Sequence, residues 1–385
     1  MASPMRSILA FLGFAVCLTM DIPAPAQADD RLQPVLFDDI SGWSDDDHLE
    51  AFQTFLNSCH QARHSLPKTR DLGISGIDLQ EVCRKALEET GVKTKEQARA
   101  FFETHFSPHR IVADGFVTGY FEPTVNGSRT ASDLYTVPLL RRPADLVKVR
   151  DAEAGRDGIR FGRQTDEGLV PHFDRKAVET GALDDQGLEL VWLESRIDAF
   201  FIHLQGSARI ELTDGSMMRV GFDGKSGHDY TPIGRILIER GELERESVTM
   251  DSIRDWLEDH PDKANDLMWQ NRSFIFFREN EAEAHLGPVA AANVPLVPWR
   301  SLAVDRTLHT FGTPVWVGAD LGDVRSAPES VNRLMIAQDT GSAIIGPARG
   351  DIFTGSGPDN GQIAGAIKHP AIMFLLVPNP GSKQP

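Results

Sequence analysis

Ala337-Gln338-Asp339-Thr340-Gly341-Ser342-Ala343-Ile344 and, shortly after it, Ala348-Arg349-Gly350-Asp351-Ile352-Phe353 are the stretches on which the reading of this chain turns. Each sets an aspartate at the edge of an apolar, strand-like segment, beside glycine or other small residues. A third stretch of this kind, Leu302-Ala303-Val304-Asp305, precedes them. A carboxylate at a strand end is costly to bury unless it is solvated, paired or used. Three in one C-terminal segment predict carboxylates gathered around a single cleft. Each also has a purely structural reading. Asp305, before Arg306, fits a turn or a surface ion pair, Asp339-Thr340-Gly341 fits an Asx turn, and Asp351 fits a plain strand start.

Around these residues the grammar is β. Pro and Gly punctuate the C-terminal segment at roughly the 8–12-residue spacing of a barrel or sandwich. Upstream, Ile233 to Arg240 and Met250 to Glu258 read as helices stopped by Gly241 and Pro261. Residues 190–225 read as strands. Ala199-Phe200-Phe201-Ile202-His203-Leu204 runs into Gln205-Gly206-Ser207. A hairpin then turns at Thr213-Asp214-Gly215-Ser216 between Ala208–Leu212 and Met217–Phe222. Residues 126–185 read as long polar loops with a few strands, and Ile111 to Phe121 as strands and turns. Residues 45–106 read as three helices. The first has Leu49, Phe52, Leu56 and Cys59 on one face, and the second has Leu79, Val82, Cys83, Ala86 and Leu87. The third carries Ala98, Phe101, Phe102 and Phe106 and is ended by Pro108.

The chain has 385 residues, enough for two domains, with 25% charged and 41% hydrophobic residues, an ordinary globular balance. Its formal charge of −17 argues against a nucleic-acid partner, since phosphate binding needs a basic face. The first 28 residues read as a signal peptide: Arg6 is the positive end, Ile8 to Met20 the apolar stretch, and Ala26-Gln27-Ala28 the cleavage site. No later apolar run is long enough for a transmembrane segment, so the mature chain is expected to have none. Cys17 falls inside the leader, and Val16 before it is larger than a lipid-attachment site usually allows. Cys59 and Cys83 then remain as an even pair in an exported chain, and a disulfide between them is expected.

Other chemistries lack a pattern here. There is no H-E-x-x-H and no ligand-spaced histidine pair, so no metal is expected. Gly206-Ser207-Ala208 is not a nucleophile elbow, and no phosphate loop or dinucleotide fingerprint occurs, so no cofactor is expected. The aspartates are left. Cleaving a glycosidic bond needs a carboxylic acid for the leaving oxygen and a base for the nucleophile. An aspartate, ordinarily near ~3.9, must be raised by ~2 pH units for such acid work, about 3 kcal/mol of differential stabilisation. Partial burial and a neighbouring carboxylate supply effects of that size. The glycines of Asp339-Thr340-Gly341 and of Thr354-Gly355-Ser356-Gly357 let backbone approach a sugar closely. Tyr120, Phe121 and Trp316 could stack on sugar rings, although aromatics of this kind are more often core.

Five segments together resemble the membrane-bound lytic murein transglycosylase A family. They are Thr118-Gly119-Tyr120-Phe121-Glu122-Pro123; Ile197-Asp198-Ala199-Phe200 running to Gln205-Gly206-Ser207; Gly221-Phe222-Asp223-Gly224-Lys225-Ser226-Gly227-His228-Asp229-Tyr230; Pro295-Leu296-Val297 with Ala303-Val304-Asp305; and Asp339-Thr340-Gly341-Ser342-Ala343-Ile344-Ile345-Gly346 with Asp351. The resemblance implies a mainly β chain with N-terminal helices. It implies a double-psi β-barrel, from residues 110–128 and 288–385, interrupted by a smaller inserted β domain at 129–287. Residues 29–109 form the helical region outside the strongest match.

It also implies a lytic transglycosylase of peptidoglycan. Such an enzyme cleaves between N-acetylmuramic acid and N-acetylglucosamine and leaves a 1,6-anhydro end. Asp351 then falls on the general acid and base, Asp339 on a supporting carboxylate and Asp305 on the first of the trio. Tyr120, Gln205, Gly206, Lys225, Tyr230, Thr340 and Gly341 fall on substrate-binding positions. The expected location is the periplasm rather than a lipid anchor on the outer membrane. A hydrolase on the same barrel and a non-catalytic, expansin-like glycan-binding protein are the alternatives. Ser342 stands where the family commonly has a second glycine, a change expected to tighten that loop.

Overall fold

The computed structural model describes residues 31–150, 159–280 and 287–379; the segment read as a signal peptide, with Cys17, lies outside them. A short strand, β1 (Leu32–Pro34), leads into helices α1 (His48–Ala62), α2 (Gly76–Glu88) and α3 (Lys95–His105). Asp47, Ser75 and Thr94 start them, each side chain accepting from a backbone N–H of the first turn. Phe52 and Phe55 of α1, Leu79 and Val82 of α2, and Phe101 and Phe102 of α3 share one core with Trp316 and Leu334. Trp316 is therefore a core residue, its ring 5.3 Å from that of Trp43. A disulfide joins Cys59 to Cys83 with their Cα atoms 4.8 Å apart, stapling α1 to α2.

α3 does not run on to Pro108. It ends at His105, and β2 (Phe106–Ile111) starts at once. Phe106 is buried in the helical core, which fixes it as extended backbone, and the Pro108 carbonyl accepts from the Val35 N–H.

β3 (Gly115–Glu122) is followed by β4 (Thr124–Ser128), β5 (Val137–Leu140), β6 (Leu146–Arg150), β7 (Ile159–Thr165), β8 (Gly168–Val170), α4 (Arg175–Glu179) and β9 (Glu189–Leu193). Then come α5 (Arg196–Gln205), β10 (Ser207–Leu212), β11 (Met217–Lys225), α6 (Ile233–Glu239), α7 (Met250–Asp259), α8 (Pro261–Met268) and β12 (Ile275–Glu279). The chain closes with β13 (Ser301–Val304), β14 (Pro314–Asp320), β15 (Ser330–Asp339), β16 (Arg349–Ser356), α9 (Pro358–Ala366) and β17 (Lys368–Pro378).

Strands β3, β16, β13, β15, β14 and β17 pair in that order, and β17 returns to β3 through Lys368–Ala371. Six strands thus close a ring, which removes the exposed edges of an open sheet. Alternate residues fill its interior: Val117, Leu302, Val304, Val315, Val317, Met335, Ile352 and Met373. Between β3 and β13 the chain builds two further sheets, β12-β11-β10-β4-β9-β5 and β6-β7-β8. β4 pairs with β10 in the first of these, so the crossing out of the ring falls at Pro123 and not after residue 128.

Three local expectations differ. Residues 199–204 lie inside a helix, α5, not a strand. Ser195 caps it by accepting from the Asp198 N–H, and Ala199 to His203 are buried on both sides, which erases the amphipathic period. Pro261 opens α8 at the first turn as well as closing the segment before it. α9 interrupts the C-terminal strands.

Candidate active site

The register of the ring lines up the chemistry. Thr118 of β3 is opposite Asp351 of β16, and Asp351 is opposite Ala303 of β13. On the far side of Ala303 stands Asp339 of β15. A bulge there pairs Leu302 with Ala337 but Ala303 with Asp339, so Gln338 is the extra residue and Asp339 is re-aimed. Thr118, Asp351, Ala303 and Asp339 form one row across four neighbouring strands. The two carboxylates flank a single small side chain.

Each carboxylate is held. The Thr118 hydroxyl donates to Asp351 Oδ1, and Arg349 Nη2 donates to Thr118 Oγ1 at 2.8 Å. The Tyr120 hydroxyl donates to Asp339 Oδ2 at 3.0 Å, and the Ala291 N–H donates to Asp339 Oδ1 at 3.0 Å. Ala290, Val294 and Leu296 pack over Phe353, with Tyr120 against the same cluster, and so roof this part of the row.

Burial, helped by the negative charge of Asp339, raises the Asp351 carboxyl to about 6, against the opposing pull of the Thr118 hydroxyl and the Arg349 guanidinium. Burial also raises Asp339, with the Ala291 and Thr340 N–H groups and the Tyr120 hydroxyl restraining it. Burial and both carboxylates push the Tyr120 phenol well above its ordinary value, so it stays a neutral donor. Asp351 and Asp339 nevertheless keep some accessible surface, as a group that meets a substrate must. A carboxyl near 6 can give a proton and take one back within the same cycle.

Asp305 is placed differently. It is 4% exposed and accepts from the Thr307 N–H at 3.1 Å, the Thr307 hydroxyl at 2.6 Å and the Gly346 N–H at 2.9 Å. It thereby clamps the loop that follows Asp339. Thr340 serves the same loop, donating to the Val304 carbonyl at 2.8 Å, while Gly341 is exposed in its turn. Gln205, at the end of α5, accepts from the Phe121 N–H at 3.3 Å, which brings α5 alongside β3 and the tyrosine. Gly206 ends α5 at φ 79°, a conformation that favours glycine. Lys225 ends β11, and Tyr230 lines a hollow of ≈ 490 Å³ among α5, α6 and α7; both lie on the inserted sheets and their helices.

Sequence reasoning missed Thr118 and Arg349 as partners of Asp351. Both sit within segments already singled out, but their pairing depends on the parallel register of β3 and β16. Among the described residues no group of three His, Cys, Asp or Glu side chains comes together as a metal site, and no helix is long and apolar enough to cross a membrane.

Residues 116–278 match the MltA specific insert domain, and residues 300–377 match the 3D domain. The crystal structure of membrane-bound lytic murein transglycosylase from Agrobacterium tumefaciens superposes with a TM-score of 0.84 at 42% identity, covering 90% of this chain and 97% of that one. The chain belongs to the membrane-bound lytic murein transglycosylase A family. The Escherichia coli K12 member is 33% identical over 270 residues, which span 69% of this chain and 66% of the relative. A crystal structure of the E. coli family member with bound chitohexaose superposes with a TM-score of 0.64 at 26% identity, covering 92% of this chain and 94% of that one.

Proposed function

We propose that this protein is a lytic transglycosylase of peptidoglycan in which Asp351 alone carries the proton. The observation that carries the reading is an asymmetry between the two carboxylates. Asp339 has both oxygens engaged, by Tyr120 and Ala291, whereas Asp351 is held through one oxygen and raised to about 6. One available carboxyl suits a cleavage that needs no activated water. Protonated Asp351 gives its proton to the glycosidic oxygen as the bond from muramic C1 breaks, freeing the N-acetylglucosamine 4-hydroxyl. Ionised Asp351 then accepts the proton of the muramic 6-hydroxyl as O6 bonds to C1. The product is a 1,6-anhydro end, and the acid is restored.

Asp339 acts on this group through its charge and by fixing Tyr120, and Asp305 acts through the loop it clamps. Gln205 accepts from the Phe121 N–H of β3, Gly206 ends the same helix, and Lys225 and Tyr230 belong to the inserted part, the side on which a glycan strand would lie. The E. coli family member holding chitohexaose supports an extended sugar chain as the ligand. We assign the ring as a double-psi catalytic barrel, residues 124–280 as the inserted glycan-binding part, and the mature chain to the periplasm after removal of residues 1–28. A hydrolase would instead need Asp339 or Asp305 free to activate water, and each already serves backbone donors. Mass spectrometry of fragments released from purified sacculi tests the reading. Anhydro ends, lighter by one water than hydrolysed ends, are expected, and hydrolysed ends alone would overturn it.

A further inference from the structure

Beyond the row of carboxylates, the outward face of β3 carries a third functional side chain. Thr118, Tyr120 and Glu122 alternate along one side of the strand. The first holds Asp351 and the second holds Asp339. Glu122 is fully buried, and its carboxylate faces away from both, toward the inserted sheet. Arg209 Nε of β10 approaches Glu122 Oε2 at 2.9 Å, and Arg219 Nε of β11 approaches Oε1 at 2.8 Å. Ser356 of β16 donates to Oε2 at 2.7 Å. One carboxylate thus ties the active-site strand and its neighbour in the ring to two strands of the second sheet.

A buried carboxylate is expensive to desolvate, and it persists only where geometry and partners satisfy it. Here the partners come from opposite sides of the crossing at Pro123, whose carbonyl also accepts from the Arg209 N–H at 2.8 Å. Arg219 continues the bridge by donating to the Gly287 carbonyl at 3.4 Å, where the chain re-enters the ring. Both covalent connections between the ring and the inserted sheets therefore meet this one ion cluster.

We propose that Glu122 is a positioning residue that fixes the inserted sheet against the barrel and so sets the width of the cleft in which the glycan lies. The cleft rests on the reading given above; the ion cluster does not. Loss of the lock leaves Thr118, Asp351 and Arg349 within the ring, so the chemical step stays intact. It misplaces the opposite wall, which binds substrate and transition state alike.

The test is Glu122→Gln, read in two ways. For glycan release, KM is expected to rise about tenfold, a change of about 1.4 kcal/mol, with kcat and the pH profile unchanged. For geometry, spin labels at Asp114→Cys and Asp133→Cys, both exposed and on opposite sides of the crossing, should show a broadened distance distribution. If Glu122→Gln does not fold, Arg209→Gln, whose side chain is 29% exposed, decides by the same readouts. An unchanged distance distribution, or a fall in kcat at constant KM, overturns the proposal. Absence of glycan release by the unaltered protein would refute the enzymatic reading instead, and the label distances would still decide the lock.

Discussion

Thr118→Val removes one hydroxyl and keeps the shape of the side chain. In the structure that hydroxyl donates to Asp351, and a donor of this kind stabilises the ionised form. A hydrogen bond to a charged group contributes about 1.5–3 kcal/mol, and about 1.4 kcal/mol corresponds to one pH unit. Its loss should therefore raise Asp351 by about 1–2 pH units from its starting point of about 6. Arg349 is left near Asp351 and still attracts its charge, which keeps the shift toward the lower end. On the proposed mechanism Asp351 is protonated to cleave, so the rate should fall as pH rises through its pKa, and the variant should move that falling limb upward. The assay is the initial rate of muropeptide release from sacculi across pH. A falling limb that stays in place, or moves downward, would refute the assignment of that limb to Asp351 and of Thr118 as its donor.

Asp351→Asn should raise the melting temperature in mild alkali and not in acid. The folded carboxyl sits at about 6, above its unfolded value, so its contribution to stability is full below ~3.9 and is lost as pH rises through about 6. The penalty relieved by the amide is at most about 3 kcal/mol, and calorimetry at two pH values measures it. Tyr120→Phe, which frees Asp339 Oδ2, should lower kcat by about tenfold or more while circular dichroism is unchanged. Replacing Cys59 and Cys83 by alanine should cost about 3 kcal/mol in urea unfolding, from the loop of 24 residues that the disulfide closes. Arg300→Met should cost about 3–5 kcal/mol, because Asp46, 3% exposed at its side chain, loses its buried partner at 2.8 Å.

The sequence made some parts of this molecule plain because they are local. The apolar faces of α1, α2 and α3 announce those helices, and Asp214-Gly215 announces the hairpin of β10 and β11. α5 reads as a strand because it is buried on both sides, and an unbroken apolar run has no period to distinguish helix from strand. α9 is not legible in the sequence because Pro358, Gly361 and Gly365 look like turn residues. In the structure Pro358 occupies the first turn of α9, and Gly361 gives room to Phe121, whose ring would lie 2.7 Å from a Cβ there. The resemblance ranks the aspartates, but the physical grounds for that ranking need three dimensions. Asp305, Asp339 and Asp351 look alike in sequence. Their differences come from partners such as Thr307, Gly346, Ala291 and Thr118, and from a bulge at Gln338 that no periodicity reveals.

One carboxyl, Asp351, is proposed to give and take the proton. The most direct test is digestion of purified sacculi by Asp351→Asn, with the released muropeptides identified by mass spectrometry and folding checked by thermal melting. A folded protein that releases no anhydromuropeptides is expected. Anhydromuropeptide release at the rate of the unaltered protein would contradict the proposal.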